Sequence, residues 1–173
     1  MTLVSRHPNL AAIEEILARV RSPGLALFLR HMMAIHPPDR LPARAAFDPI
    51  DVPQLLGNIV LVKVERQPAP ALPRFLVKVA GDDVLNAAPA PMMNRYLDDL
   101  ARRNEKPAAQ VIVDSRQGVV ATGCTYYWFG PPRMKFRLDF ADVEYCHCPL
   151  ADDGVTVDRI ISFLQYSGAR SAG

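Results

Sequence analysis

The chain lacks the features that mark several large classes of protein. Among its 173 residues are only three cysteines, Cys124, Cys146 and Cys148, which are odd in number and follow no disulfide-framework spacing. No apolar run approaches the ~20 residues that a membrane-spanning helix needs. The N-terminus has no basic flank followed by an apolar signal core. We therefore expect a cytoplasmic protein without a membrane span.

The chain also lacks a large excess of charge of either sign. The net charge is only +2, with acidic and basic residues interspersed, so no basic stripe is available for a phosphate backbone. Nucleic acid is therefore not an expected partner. A hydrophobic content of 50% is enough for a core, and the length fits one domain with an appendage.

Motifs for nucleotide binding and catalysis are absent as well. The chain has neither G-x-G-x-x-G nor G-x-x-x-x-G-K-[ST], and Ser115 and Ser162 lack the context of a nucleophile elbow. The most metal-like triplet is Cys146-His147-Cys148. In a strand, however, its two sulfurs would face one side and its histidine the other, so we expect no metal site.

Proline is abundant between residues 37 and 53, where five of the 16 prolines lie, and a continuous helix cannot cross this region. Asp48 and Asp51 precede prolines and are expected to form Asx-type turns or caps. Arg44 is close enough in sequence to form a surface ion pair with either aspartate. A short helical turn at residues 53–56 should then lead into a β-branched strand.

Two amphipathic helices are predicted ahead of this region. Asn9 is the expected cap of the first, and Ser22, followed by Pro23, is the expected cap of the second, which continues to about His36. Neither helix can bury its apolar stripe alone. They must pack on the rest of the domain, on each other, or on a second copy of the chain.

The remaining pattern predicts two strands, a helical middle and three more strands. Asn94 can adopt a left-handed turn in the middle region, and Gly118 is the expected stop of the helix predicted at 107–117. The predicted strands are 58–65, 74–80, 119–129, 136–150 and 157–166, and the predicted helical segments between them are 95–100 and 107–117.

The stretch L-P-A-R-A-A-F-D-P-I-D-V-P-Q-L-L at residues 41–56, followed by a hydrophobic strand, resembles the start of a bacterial family of PAS-like domains found mainly in alphaproteobacteria. The resemblance continues through R-F-L-V-K-V-A-G at 74–81, Y-L-D-D-L at 96–100 and C-P-L-A-D-D-G-V-T-V-D-R-I at 148–160. The chain departs from that family at residues 88–95, where A-P-A-P-M-M-N-R stands in place of a G-R-D-x-T-G-R loop.

The resemblance implies an α+β fold with a PAS-like antiparallel five-stranded sheet, helices on one face, and N-terminal helices ahead of it. Together with the helical pattern ahead of residue 41 and the polar end of the chain, the predicted domains are a helical segment at 1–40, the PAS-like domain at 41–166 and a flexible tail at 167–173. The resemblance also implies homodimerisation, because helices that flank PAS-like domains often mediate pairing.

No cofactor is identified from these patterns. A haem-binding PAS protein carries its axial histidine in the middle helices, whereas His7, His31 and His36 lie ahead of the sheet. The N-C-R-F-L-Q sequence of flavin photosensors is absent too. Haem and flavin are thus unsupported.

Candidate ligand-binding residues come from an aromatic cluster and a methionine pair. Trp128 and Tyr126 share one face of a predicted strand and combine apolar area with a polar edge. Met92 and Met93 are adaptable side chains near the expected pocket mouth. These four residues are the predicted ligand contacts.

The function predicted from these features is that of a single-domain sensory or regulatory protein. It would bind a small molecule or a protein partner and signal through its dimer or its N-terminal helices. One alternative is a small cone-shaped α+β-barrel enzyme, for which Asp139 and His147 form the one acid/base pair that the sequence suggests. Another is a structural interaction module without a ligand.

Overall fold

The computed structural model describes residues 5–168, which form a mixed α+β fold. Its helices are α1 Pro8–Leu17, α2 Pro23–Ile35, α3 Asp82–Ala87, α4 Leu97–Arg103 and α5 Val111–Thr122, with shorter 3-10 turns at Arg44–Ala46, Pro49–Asp51, Pro53–Asn58 and Pro107–Gln110. Its strands are β1 Ile59–Glu65, β2 Arg74–Ala80, β3 Tyr126–Gly130, β4 Asp142–Leu150 and β5 Arg159–Ser167.

The strands form one sheet in the order β2-β1-β5-β4-β3, and all neighbours are antiparallel. The first and last strands of the chain therefore pair at the centre of the sheet. This α+β arrangement confirms the predicted fold class and is consistent with a PAS-like topology.

Both faces of the sheet are covered, because apolar residues occupy successive positions of the central strands. In β1, Ile59 and Leu61 pack in one buried cluster, whereas Val60 and Val62 pack in another. Since successive side chains of a strand point to opposite faces, these two clusters lie on opposite sides of the sheet.

The N-terminal helices cover one of these faces within the same chain. Leu25, Phe28 and Leu29 of α2 are completely buried, and the ring of Phe28 stacks on Phe163 of β5 at 5.5 Å between centroids. Gly24 permits this approach, since an added Cβ would lie 3.2 Å from the Phe163 ring. The sequence left open whether these helices pack on the domain, on each other or on a second copy, and in this structure they pack on the sheet of their own chain. Homodimerisation remains a prediction.

The other face is covered by α3, α4 and α5, as expected. The sequence-based end of α5 was wrong: Gly118 lies inside the helix, which continues to Thr122 and ends at Gly123 with φ +66°. Gly118 is exposed, so its missing side chain removes no packing contact. Val119, immediately after it, is buried and keeps the helix against the core.

The third and fourth predicted strands were too long. Residues 119–122 belong to α5, so β3 begins only at Tyr126, and β4 begins at Asp142 rather than at Phe136. The alternation of residues 136–140 that predicted a strand has another origin. Phe136 and Phe140 belong to a loop and pack against Tyr166 of β5.

Local rules for caps and turns succeeded at three positions. The Ser22 hydroxyl accepts a hydrogen bond from the Leu25 amide at 2.9 Å and caps α2. The Asp48 carboxylate accepts from the Ile50 amide at 3.0 Å, and Asn94 adopts the predicted left-handed conformation, with φ 57°.

Three local predictions were wrong. Asp51 does not cap the 3-10 turn at Pro53–Asn58, which has Val52 as its N-cap and no side-chain cap. His7, not Asn9, caps α1, because Pro8 already occupies the first helical position, and the buried Asn9 side chain binds elsewhere. Arg44 does not pair with the nearby aspartates. Its guanidinium donates to the Phe47 carbonyl at 3.0 Å, and its backbone amide donates to Asp152 across the chain at 3.3 Å.

The described residues end directly after β5. Ser167 closes β5, while most of the predicted tail, residues 169–173, lies outside the described residues. None of the helices in residues 5–168 has the length and apolar character needed to cross a bilayer.

Candidate functional site

A cavity of about 390 Å³ lies between the sheet and α3–α5. Its floor is formed by residues of β1, β4 and β5 that face away from α1 and α2, and its walls come from α4, α5, and the loops 88–95 and 131–136. The volume falls within the range of known small-molecule pockets. The fold therefore provides a space large enough for a ligand.

The cavity wall is mostly apolar but carries an excess of positive charge. Val60, Phe136 and Leu164 are among its apolar residues. Its charged side chains include five lysines or arginines but only two carboxylates, and one of these, Asp99, already pairs with Arg74 and Arg102. The cavity is therefore suited to a partly apolar molecule without positive charge.

Arg116 of α5 is the most unusual of the lining residues, because it is buried without a carboxylate. It is 4% exposed, and its guanidinium donates only to neutral oxygens, the Ile112 carbonyl at 2.7 Å and the Ser162 hydroxyl at 3.2 Å. Its Nε–H has no partner, and no ion pair within residues 5–168 includes Arg116. Burial lowers the pKa of Arg116 to about 10, so the group is still charged at neutral pH. A buried charge without a counter-ion costs several kcal/mol.

His147 of β4 continues this polar cluster. Its Nδ1 lies 2.7 Å from the hydroxyl oxygen of Ser162, and its Nε2 is buried without a partner among residues 5–168. Since Ser162 accepts from Arg116, the fully buried hydroxyl is free to donate its own proton to Nδ1. With this hydroxyl as the donor to Nδ1, the imidazole carries its proton on Nε2. Burial and the charge of Arg116 hold the pKa of His147 well below its ordinary value, so the ring is neutral.

Arg133 forms a third polar group on the same cavity. Its guanidinium lies 3.9 Å from the centre of the Trp128 ring and donates to the hydroxyls of Tyr145, at 2.7 Å, and Tyr126, at 3.2 Å. Its Nε–H has no partner in the part of the chain that the structure describes. The ring of His147 stacks on the ring of Tyr145, with 5.0 Å between their centroids. This contact connects the aromatic residues around Arg133 with the polar residues around Arg116.

The four predicted ligand contacts occupy different positions relative to the cavity. Met92 lines it, whereas Met93 is 41% exposed and does not. Trp128 and Tyr126 share the cavity side of β3, as the alternation predicts, but they lie behind Arg133 and hold it in place. A direct role for any of these four in ligand binding remains a prediction.

Sequence reasoning missed Arg116 and Arg133. A signal for Arg116 was present, because it occurs between Val113 and Val119 at steps of three residues, on the buried stripe of α5. An arginine at such a position indicates a buried charge. No comparable signal existed for Arg133, which lies in a loop whose path is set by tertiary packing.

The pairs considered for other chemistry do not assemble around the cavity. Asp139 is exposed and lies 3.7 Å from Lys135, rather than beside His147. Cys146 and Cys148 face α2, and His147 faces the cavity, so the triplet is split between the faces as predicted. Within residues 5–168, no three His, Cys, Asp or Glu side chains come together as a metal site requires.

On the opposite face, Glu144 of β4 fastens the N-terminal helices to the sheet. The carboxylate is 3% exposed and accepts hydrogen bonds from the consecutive amides of Arg21 and Ser22, at 2.8 and 2.7 Å. It also accepts from the Tyr127 hydroxyl at 2.5 Å. β4 therefore contacts the cavity through His147 and holds the start of α2 through Glu144.

Comparison of the chain with protein-family models and with curated proteins gives no match in either case.

Proposed function

We propose that the protein is a PAS-like sensory or regulatory domain that binds a small molecule in the cavity between the sheet and α3–α5. The observation that carries this proposal is the cavity itself, which is lined by Arg116, Arg133 and His147; among residues 5–168, each of these has one buried nitrogen without a partner. Buried donors are almost always paired in native proteins, so these nitrogens support a bound group that accepts hydrogen bonds near them.

The path from cavity to output runs through β4. Tyr145 and His147 line the cavity, whereas the alternating Glu144 and Cys146 face α1 and α2. A ligand that shifts β4 changes the hold of Glu144 on residues 21 and 22. The N-terminal helices then pass the change to a protein partner or to a second copy of the chain. A ligand alters this equilibrium only by its difference in affinity for the two states.

The resemblance to the alphaproteobacterial PAS-like family supports the same function. A protein of this kind would act in the cytoplasm as a homodimer. The direct contribution of α2 to the core also limits how the output is tested. Deleting residues 1–36 would uncover the apolar sheet face that Phe28 and Leu29 cover, so loss of signalling in that variant would be uninformative.

The first test is to identify what the purified protein carries. Native mass spectrometry followed by denaturing extraction is expected to show one small molecule per chain. Leu164→Trp, which places a larger side chain in the cavity, should abolish the added mass. Leu72→Trp is the matched control, because Leu72 is 68% exposed and lies outside the cavity.

A ligand that survives in the Leu164→Trp protein, while circular dichroism shows the fold intact, would place binding elsewhere. Protein that is empty from every preparation and is not stabilised by its host's metabolite extract would contradict the proposal. A dimer without a ligand would instead favour an interaction module.

A further inference from the structure

We infer that the molecule bound in the cavity is a small organic acid, held by its single carboxylate at Arg116 and His147, with an apolar body against the rest of the wall. This inference rests on the proposed function, since it names the ligand class of the same cavity. It comes from the charge and the unused hydrogen-bond donors of the site.

The charge of Arg116 defines the charge of the ligand. Arg116 is buried, and its partners Ile112 and Ser162 offer neutral oxygens only. A single negative charge from the ligand would neutralise it. Asp99 is the acid on the cavity rim that already has two arginine partners, so it does not serve this purpose.

The unused donors define the shape of the charged group. Arg116 and His147 share Ser162 as a hydrogen-bond partner, and within residues 5–168 neither Arg116 Nε nor His147 Nε2, the donor of the ring when Ser162 donates to Nδ1, has a partner. Two donors match the two oxygens of a carboxylate, for which guanidinium groups are well suited. A phosphate monoester has three terminal oxygens and close to two charges, which is more than the single charge and the two donors of the Arg116–His147 pair.

The wall of the cavity defines the rest of the molecule. Val60, Phe136, Val143 and Leu164 offer hydrocarbon surface, and Met92 at the wall offers an adaptable one. A body that carries several hydroxyls would find few partners there. The ligand is thus expected to be an aliphatic or aromatic monocarboxylic acid rather than a sugar acid.

The experiment compares acids with uncharged molecules of the same shape. Isothermal titration calorimetry would be run with phenylacetate and hexanoate, with their amides phenylacetamide and hexanamide, and with phenyl phosphate. The acids should bind at least tenfold more tightly than their amides and more tightly than phenyl phosphate. Amides that bind as well as the acids, or a preference for phenyl phosphate, would overturn the inference.

Arg116→Met tests the residue, and the exposed Arg102→Met is the matched control. Removing the guanidinium should weaken acid binding by about tenfold to a hundredfold and leave amide binding unchanged. Because Met replaces a charge that has no counter-ion, the free variant should be at least as thermostable as the wild type. Unchanged acid binding in Arg116→Met would refute the assignment.

Failure of the inference and failure of the proposed function give different results. If the molecule extracted from the protein is uncharged, or if a neutral probe fills the cavity best, the domain is a sensor but the carboxylate assignment is wrong. If no probe binds and nothing is extracted, the cavity holds no ligand and both conclusions fall. The comparison of acids with amides needs only the wild type, so poor folding of a variant would not prevent the decision.

Discussion

Replacing Glu144 with Gln would weaken the hydrogen bonds that attach the start of α2 to the sheet. The carboxylate lies almost fully buried in β4 and accepts hydrogen bonds from two consecutive backbone amides and one tyrosine hydroxyl. Gln has nearly the same shape but only one accepting oxygen. Its NH₂ group would therefore face a backbone N–H, and at least one buried donor would lose its partner.

The expected loss of stability follows from the number of bonds affected. A hydrogen bond to a charged group contributes about 1.5–3 kcal/mol, and an unpaired buried donor adds its own desolvation cost. We therefore expect the free energy of unfolding of Glu144→Gln to fall by about 2–4 kcal/mol. For a chain of this size that corresponds to a decrease in Tm of roughly 5–15 °C.

Urea unfolding and differential scanning calorimetry would measure this loss, and hydrogen exchange would locate it. The amides of Arg21 and Ser22 should exchange faster, while the central strands keep their protection at equal stability. Glu14→Gln is the control, because Glu14 is exposed and its carboxylate pairs with Arg6 at the surface. An unfolding free energy for Glu144→Gln within 0.5 kcal/mol of the wild type, about the scatter of surface substitutions, would refute this account of the helix attachment.

Three further predictions concern stability. Gly118→Ala should raise the free energy of unfolding by about 0.5–1 kcal/mol, whereas Gly123→Ala, at φ +66°, should lower it by about 1 kcal/mol; equal effects in urea titrations would contradict the observed helix end. Phe28→Ala should cost about 3–5 kcal/mol in the same assay, and a loss below 1 kcal/mol would show that α2 contributes little to the core. Burial lowers the pKa of His36 and His147 below their ordinary value of 6.5, so the unfolded chain binds protons there that the folded protein does not. The free energy of unfolding should therefore fall as the pH decreases below 6.5, by at most about 1.4 kcal/mol per pH unit for each histidine, and a flat profile from pH 7 to 5 would exclude this.

The fold was predictable where a local rule had no competitor. β2 begins at Arg74 and ends at Ala80, as the alternation and the proline loop indicated, and Ser22 caps α2 as its hydroxyl predicted. Prediction failed where tertiary contacts outweighed local preference. The helix passed through Gly118 because the buried residue after it, Val119, favours continuation over a stop.

The candidate site was less predictable than the fold. The sequence showed that His147 and the adjacent cysteines would face opposite sides of β4, and that Met92 lay near a pocket. It did not show that Arg116 and Arg133 meet the same cavity, since 17 positions separate them in the sequence. Only the packing of α5 and of the loop 131–136 over the sheet brings their charges together.

The two cysteines beneath α2 can report how often the N-terminal helices separate from the sheet. Cys146 and Cys148 are completely buried on the face that α1 and α2 cover, and burial raises the pKa of the Cys146 thiol. A thiol reagent in solution can modify them only during moments when the helices leave the sheet or the chain opens. In a Cys124→Ser background, which removes the third and more accessible thiol, the labelling rate counts these openings directly. A molecule bound in the cavity, on the other side of β4, should change this labelling rate if binding there alters the attachment of the N-terminal helices.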